Sequence, residues 1–186
     1  MNLRRFQLLA LALLAAALLA GCATPARVDR MQVDPSLAQR TTAATSPLKG
    51  KVVVQDVTGG SETNPAWMSK VSSSEFQRAL EASLRDAGLL SDNRQGGAYR
   101  LVASMEALDQ PFIGVSLTVT ARVKYWLVEN ASGKTVYEKT ISTTYTAEFS
   151  AAFFYNDRLT IANEGAMRSN IARLIEELIA FKAPPL

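Results

Sequence analysis

The chain has 186 residues, of which 20 are lysine or arginine and 17 are aspartate or glutamate, and it contains one cysteine and no histidine. Without histidine, the chain lacks the usual general base of Ser-His and Cys-His enzymes and the commonest metal ligand. The sequence shows no basic stripe of the kind that nucleic-acid binding requires, so a nucleic-acid partner is not expected.

The first 22 residues have the pattern of a secretory signal. Two arginines lie at positions 4 and 5, an apolar run broken only by Gln7 follows over residues 6–20, and Gly21 precedes Cys22. The run is short for a membrane span, which needs about 20 apolar residues, and small residues precede the expected cut site. We therefore expect residues 1–21 to be a cleaved signal peptide. Its loss leaves 18 basic against 17 acidic residues.

The end of this segment, Leu19-Ala20-Gly21-Cys22, resembles the lipobox of bacterial lipoproteins. In that family a diacylglycerol is attached to the cysteine thiol and the signal is cut just before it. The resemblance implies lipidation of Cys22 and a stable membrane anchor of several acyl chains, palmitate among them. Ala23, where an aspartate would retain the family's members in the inner membrane, implies an outer-membrane protein that faces the periplasm. No thiol then remains for a disulfide, a metal site or a nucleophile.

Two further regions are predicted after the signal. Residues 22–48 lack a sustained apolar period and are expected to be the lipidated cysteine and a tether, in which Val28–Leu37 could dock locally. Residues 49–186 have the length of one ordinary domain, large enough for a hydrophobic core.

The first predicted elements of this domain are a strand and a helix. Residues 50–57 form a β-branched run that begins with glycine, which is typical of a strand. Ser72 and Glu75 have the spacing of a capping box, in which each side chain bonds the other residue's backbone N–H. Apolar residues recur at helical spacing from Phe76 onward, and Gly88 is suited to end the helix.

Three more strands and a second helix follow in the sequence. The strands are predicted at Tyr99–Leu108, Val115–Leu127 and Thr135–Phe149. The middle strand alternates between apolar and mostly polar residues, and Asn130–Gly133 is predicted as its hairpin turn. The last strand has a predicted apolar set of Tyr137, Ile141, Tyr145 and Phe149. An apolar stripe from Ile161 to Leu178 indicates an amphipathic helix, which Gly165 weakens.

The element order is therefore β-α-β-β-β-α. Each helix has one apolar stripe to bury and the sheet has one apolar face. The predicted fold class is thus α+β: a two-layer sandwich with a mostly antiparallel four-stranded sheet and two amphipathic helices on one face.

Aromatic loops are the candidate interaction site. Trp67 lies in the loop after the first strand, and Phe153, Phe154 and Tyr155 lie between the last strand and the last helix. Exposed, they would form a patch for a partner or an acyl chain; alternatively, the two phenylalanines plug the edge of the layers while the tyrosine packs over them. Trp126 stands alone on the polar strand face and is a weaker candidate.

A carboxylate hydrolase is the third hypothesis, with Asp56 and Asp109 as its nominees because both lie near strand ends. Paired carboxylates act only at a defined separation in a cleft, and solvated charges at strand ends are the ordinary alternative. No catalytic residue, cofactor or metal site is therefore expected.

The whole pattern resembles the small outer-membrane lipoproteins of the YajG type and, in outline, the lipoprotein subunit of the lipopolysaccharide-export machinery. The residues that carry the resemblance are the lipobox, the helix from Phe76 to Gly88 with the strand after it, and the Ala166–Leu178 helix. The resemblance implies non-enzymatic work in assembly, scaffolding or lipid handling.

We therefore expect a non-catalytic interaction or assembly module for an envelope complex, with a membrane anchor and an envelope protein as partner. The alternative is a lipid- or lipopolysaccharide-binding transport component that uses a groove between helices and sheet.

Overall fold

The computed structural model describes residues 23–64, 68–93 and 96–182, which form one sheet and a layer of helices. The elements in chain order are α1 (Val28–Met31), α2 (Leu37–Ala43), β1 (Val52–Thr58), α3 (Ser73–Asp86), β2 (Tyr99–Asp109), β3 (Leu117–Glu129), β4 (Thr135–Ala147), a 3-10 turn (Phe149–Ala151) and α4 (Tyr155–Ile179). The strand order is β1-β2-β3-β4. β1 runs parallel to β2, and the other two pairings are antiparallel. The predicted α+β class is confirmed, with a mixed sheet.

Helix α3 begins and ends where the sequence predicts. The Ser72 hydroxyl accepts the backbone N–H of Glu75 at 3.2 Å, and the Glu75 carboxylate accepts that of Ser72 at 3.0 Å. Such a cap contributes about 0.5–2 kcal/mol. After the helix, Gly88 has a φ of 74°, a left-handed conformation that glycine adopts without steric cost.

The core lies between the sheet and the helices α3 and α4. Every second residue of β3 from Leu117 to Leu127 is buried, as the alternation predicts. One polar pair crosses this core: Tyr125 Oη donates to Asn170 Oδ1 at 2.8 Å, and Asn170 Nδ2 donates to the carbonyl of Ile141 at 2.9 Å. These bonds join α4 to both β3 and β4.

Two strand ends differ from the prediction. β3 begins at Leu117, and Val115 is 70% exposed ahead of it. β4 ends at Ala147, and of its predicted apolar set Ile141 is buried, whereas Phe149 lies beyond the strand in the exposed 3-10 turn. The physical reason is that β4 is an edge strand and that aromatic residues continue past Ala147 into the 3-10 turn, so the apolar pattern does not mark the residue at which the strand ends.

The predicted tether is packed against the domain over its described part. Met31 is fully buried, α1 contacts both α3 and α4, and the backbone N–H of Val33 donates to Ser83 Oγ at 2.9 Å. The apolar side chains of this segment pack against α3 and α4. Their spacing in the sequence is too irregular to show the period of a helix or a strand. The folded unit therefore includes residues 23–48. Among the described residues, no helix combines the length and apolarity needed to cross a membrane.

Candidate interaction surface

Three connections meet at one end of the sheet, which we call the loop end. Leu117 pairs with Ala147, so the β2–β3 connection (residues 110–116) and the β4–α4 connection (residues 148–154) are neighbours. Because β1 runs parallel to β2, the β1–α3 connection also leaves the sheet there. The Asn130–Gly133 hairpin lies at the opposite end.

A polar cluster fastens these connections together behind the surface. Gln110 Nε2 donates to the carbonyl of Ser69 at 2.8 Å and to Asn163 Oδ1 at 2.7 Å, and Gln110 Oε1 accepts from Lys70 Nζ at 2.7 Å. Asn163 is fully buried on α4, and its Nδ2 donates to the same Ser69 carbonyl at 3.1 Å. The chain that follows Gln110 therefore leaves from a fixed point.

Tyr155 and Arg158, in the first turns of α4, hold the aromatic loop. Tyr155 Oη donates to the carbonyl of Pro111, and burial raises the pKa of this phenol. Arg158 Nη1 donates to the carbonyls of Ala152 and Phe153, both at 2.8 Å. The half-buried Tyr155 thus fixes the position of the β2–β3 connection at Pro111.

Six apolar side chains project from this fixed backbone, and we call them the apolar tip. Phe153 is 80% exposed, which contradicts its interpretation as a plug. The ring of Phe154 meets that of Phe153 edge to face with centroids 5.3 Å apart. The members of the apolar tip are Phe112, Ile113, Val115, Phe149, Phe153 and Phe154. Clusters of exposed apolar side chains usually mark interaction sites.

Sequence reasoning missed the first half of the apolar tip. Phe112 and Ile113 are 83% and 87% exposed. The signal in the sequence is the apolar pair Phe112 and Ile113 between a proline and a glycine. It lies in a stretch, residues 111–118, that contains no charged side chain. Residues 149–156 are uncharged in the same way.

The first described residues also lie at the loop end. The carbonyl of Thr24 accepts a hydrogen bond from Ser69 Oγ at 2.8 Å. Thr160 Oγ1 lies 3.4 Å from the same carbonyl and donates to the nearer carbonyl of Asn156 at 2.9 Å. Ala23 is buried, with an exposure of 3%. Cys22 and Trp67, two predicted site residues, lie outside the described residues.

Trp126 belongs to a different surface. It is nine positions along β3 from Leu117, about 30 Å at about 3.3 Å per residue, on the sheet face opposite the helices. Lys124 Nζ lies 4.9 Å from the centroid of its ring and 2.8 Å from a carboxylate oxygen of Glu138. Hydrogen bonds from Lys124 and then the indole lower the pKa of Glu138. The structure therefore separates Trp126 from the other candidates.

The two nominated carboxylates do not meet. Asp56 lies at a bulge in β1 with a φ of 51°, next to Val57, which pairs with Ala103. Asp109 is six residues further along β2, about 20 Å away, with its Oδ2 3.5 Å from Arg122 Nη2. This separation exceeds the ~5–9.5 Å of glycosidase carboxylate pairs.

The groove expected between helices and sheet is filled by core side chains such as Phe76, Tyr125 and Met167, all fully buried. A groove of about 840 Å³ lies instead between α4, the segment of residues 24–33 and Tyr145 of β4. Its lining includes Arg27, Arg30, Glu164 and Arg168. Glu164 Oε1 accepts the backbone N–H of Arg27 at 2.8 Å, and burial raises the pKa of this carboxyl.

Comparison with known proteins places the fold among bacterial structures. Neither a protein-family model nor a curated protein sequence matches this chain. Protein XCC0632 from Xanthomonas campestris, of family DUF330, is similar with a TM-score of 0.52 and 10% identity over 72% of this chain and 88% of that one. A candidate lipoprotein from Caulobacter crescentus is similar with a TM-score of 0.50 and 10% identity over 77% and 93%.

A third similar structure is the PelC dodecamer from Paraburkholderia phytofirmans, with a TM-score of 0.50 and 18% identity over 74% of this chain and 94% of that one. At these identities the likenesses show a shared fold. They do not bear on the resemblance to the YajG type, which stays a prediction.

Proposed function

We propose that this chain is a non-catalytic lipoprotein, lipidated at Cys22 in the outer membrane, that holds an envelope protein at the periplasmic membrane surface. The observation that carries the proposal is the fixed position of the first described residues. The carbonyl of Thr24, two residues after Cys22, accepts a hydrogen bond from Ser69 Oγ at 2.8 Å. An anchor at Cys22 would therefore hold the loop end of the domain close to the membrane. The candidate lipoprotein of similar fold supports this assignment.

The uncovered sheet face is the proposed surface for the protein partner. Trp126 is half-buried there among the charged side chains of Arg122, Lys124 and Glu138. Tryptophan and arginine dominate the binding energy of protein interfaces, and paired charges of both signs set the register of a partner. An antiparallel sheet can present such a face to solvent when no partner is bound.

The proposal of a non-catalytic role rests on side-chain chemistry. The sequence contains no histidine, and lipidation would use its one cysteine. Asp56 and Asp109 are too far apart to act on one bond. A binding module needs none of these groups.

The partner is tested by photocrosslinking in cells that express the full lipoprotein. A photoreactive residue replaces Trp126, and the matched control replaces Arg78, an exposed residue of α3. We expect one recurrent protein adduct from position 126 and none from position 78. An adduct of twice the chain's mass would identify a second copy as the partner, as in the dodecamer of similar fold. The absence of any adduct from position 126 would refute this surface.

The anchor is tested separately by metabolic labelling with an alkyne analogue of palmitate. We expect label on the natural chain and none on Cys22→Ser. A natural chain without label would refute the lipoprotein assignment.

Lipid binding is the second candidate function, and the groove along α4 favours it. Two arginines of its lining, Arg30 and Arg168, suit an anionic headgroup, whereas Arg27 is paired with Asp29 at 2.6 Å. Native mass spectrometry of the full lipoprotein should then show one further lipid, and Arg30→Gln with Arg168→Gln should remove it. Spectra without that lipid would exclude this role.

A further inference from the structure

The anchor and the apolar tip lie at the same end of the molecule. Ala23 is buried and Thr24 is bonded to Ser69, whose carbonyl is also bonded by Gln110 at 2.8 Å. Gln110 is two residues before Phe112. A few side chains therefore separate the first described residues from the apolar tip.

One peptide step joins this fixed point to the anchor. Successive Cα atoms are about 3.8 Å apart, so a bilayer that holds acyl chains attached to Cys22 would have to lie close to Ala23. If Cys22 carries acyl chains in a bilayer, the loop end has to face that bilayer closely. This step rests on the proposed lipidation.

We infer that the apolar tip inserts into the lipid surface beside the anchor, as a second membrane contact. Phe112, Ile113 and Phe153 would lie at the boundary between headgroups and acyl chains, where aromatic and aliphatic side chains favour binding. The occupant is the bilayer because the anchor leaves no length of chain for a protein layer between tip and membrane.

The backbone of the apolar tip is suited to this environment. Polar groups that enter an apolar medium are costly unless they are hydrogen-bonded. The carbonyls of Ala152 and Phe153 accept from Arg158, and that of Pro111 accepts from Tyr155. Residues 111–118 and 149–156 contain no charged side chain. The neighbouring Glu148 is exposed and accepts a hydrogen bond from Ser116 Oγ at 2.7 Å, so its carboxylate would have to stay among the headgroups.

The two contacts would together fix the orientation of the domain. A single anchor point allows the domain to tilt relative to the membrane. An anchor together with an inserted tip would restrict this tilt. The β-sheet would then stand away from the membrane, with the Asn130–Gly133 hairpin as its far end. Trp126, about 30 Å from Leu117 along β3, would remain accessible to a periplasmic protein.

The test uses the full lipoprotein with one added cysteine, since lipidation consumes the natural thiol. A bimane label is attached at Phe112→Cys or at Ser150→Cys, the latter leaving every aromatic side chain in place. Ala131→Cys, in the hairpin at the opposite end, is the matched control. Each protein is reconstituted into phosphatidylethanolamine–phosphatidylglycerol vesicles that contain lipids with a nitroxide on the acyl chain.

We expect nitroxide lipids to reduce the fluorescence at positions 112 and 150 at least threefold and to leave position 131 nearly unchanged. Ile113→Ser with Phe153→Ser, two exposed positions, should reduce the quenching at position 150 without lowering the thermal unfolding midpoint.

Two results would overturn the inference in distinguishable ways. If the protein floats with the vesicles but all three labels stay equally bright, the anchor stands and the inserted tip is refuted. If the protein does not float at all, the proposed lipid anchor fails, and the inserted tip fails with it.

Discussion

The ring of Tyr145 occupies the space in which Gly165 would carry a side chain. A Cβ at Gly165 would lie 2.3 Å from Cδ1 and 2.4 Å from Cγ of that ring. Gly165, which lowers the helix propensity of α4, is therefore the position at which β4 approaches the helix. This ring can lie so close to the helix because residue 165 has no side chain.

Gly165→Ala should therefore fail to stabilise the protein, although alanine gains about 1 kcal/mol over glycine in a helix interior. Overpacking costs about 1–3 kcal/mol, so we expect a small net loss. In a Tyr145→Ala background the same change should stabilise by about 1 kcal/mol, because the ring is gone. Urea unfolding of the four variants measures this coupling, and equal effects in both backgrounds would contradict the account.

Tyr125→Phe should destabilise the domain by about 1–3 kcal/mol, because it leaves the buried Oδ1 of Asn170 without its donor. Burial raises the pKa of Tyr125 well above its ordinary value. Tyr137→Phe is the matched control: its buried Oη has no hydrogen-bond partner among the described residues, and burial raises its pKa to about 12. Chemical unfolding should show a loss for the first variant and almost none for the second; similar losses would count against the Asn170 bond.

Glu164 should make the stability fall as the pH rises. Burial raises the pKa of its carboxyl above the ordinary 4.5, so the folded state binds the proton more tightly than the unfolded state does. The folded state has this extra stability in full below pH 4.5. The stability is lost as the pH rises through the raised pKa of Glu164.

Glu164→Gln should remove this pH dependence and unfold at a higher urea concentration at pH 7, since the amide oxygen can still accept the N–H of Arg27. Unfolding of both proteins between pH 4 and 8 checks it, with the exposed Glu106→Gln as control. Parallel pH profiles for natural chain and Glu164→Gln would show that this carboxyl is not responsible.

Gln110→Ala should loosen the loop end. The change leaves the Oδ1 of buried Asn163 and the carbonyl of Ser69 with one donor fewer, and we expect a loss of about 1–3 kcal/mol. Hydrogen exchange should rise in residues 110–116 and 68–72 and stay constant at the Asn130–Gly133 hairpin. Gln77→Ala, which removes a bond to Glu81 on the surface of α3, is the control. A uniform rise over the whole chain would contradict a local role.

The elements with regular local signals could be predicted from the sequence. The capping box of Ser72, the alternation of β3 and the positive φ of Gly133 depend on residues close in the chain. The packing of residues 23–48 could not, because Met31 and Val33 are buried by helices that lie 40 or more residues away in sequence.

The candidate site was predictable only in part for the same reason. The aromatic residues around Phe153 form a visible cluster in the sequence. Their exposure depends on Arg158 and on the Tyr155–Pro111 bond, and the proximity of residues 23–26 depends on Ser69. Phe112 and Ile113 belong to the candidate site because Leu117 pairs with Ala147, which brings two separate loops to one end of the sheet.

The packing of the segment after Cys22 has a mechanical consequence. A flexible linker would absorb the first pull between a membrane and a domain as slack. Here a force applied at an anchored Cys22 would reach the bonds of Thr24 to Ser69 and of Arg27 to Glu164 at once. Under such a force, residues 23–33 would detach from α3 and α4 first. Only then could this segment extend and let the domain move away from the membrane.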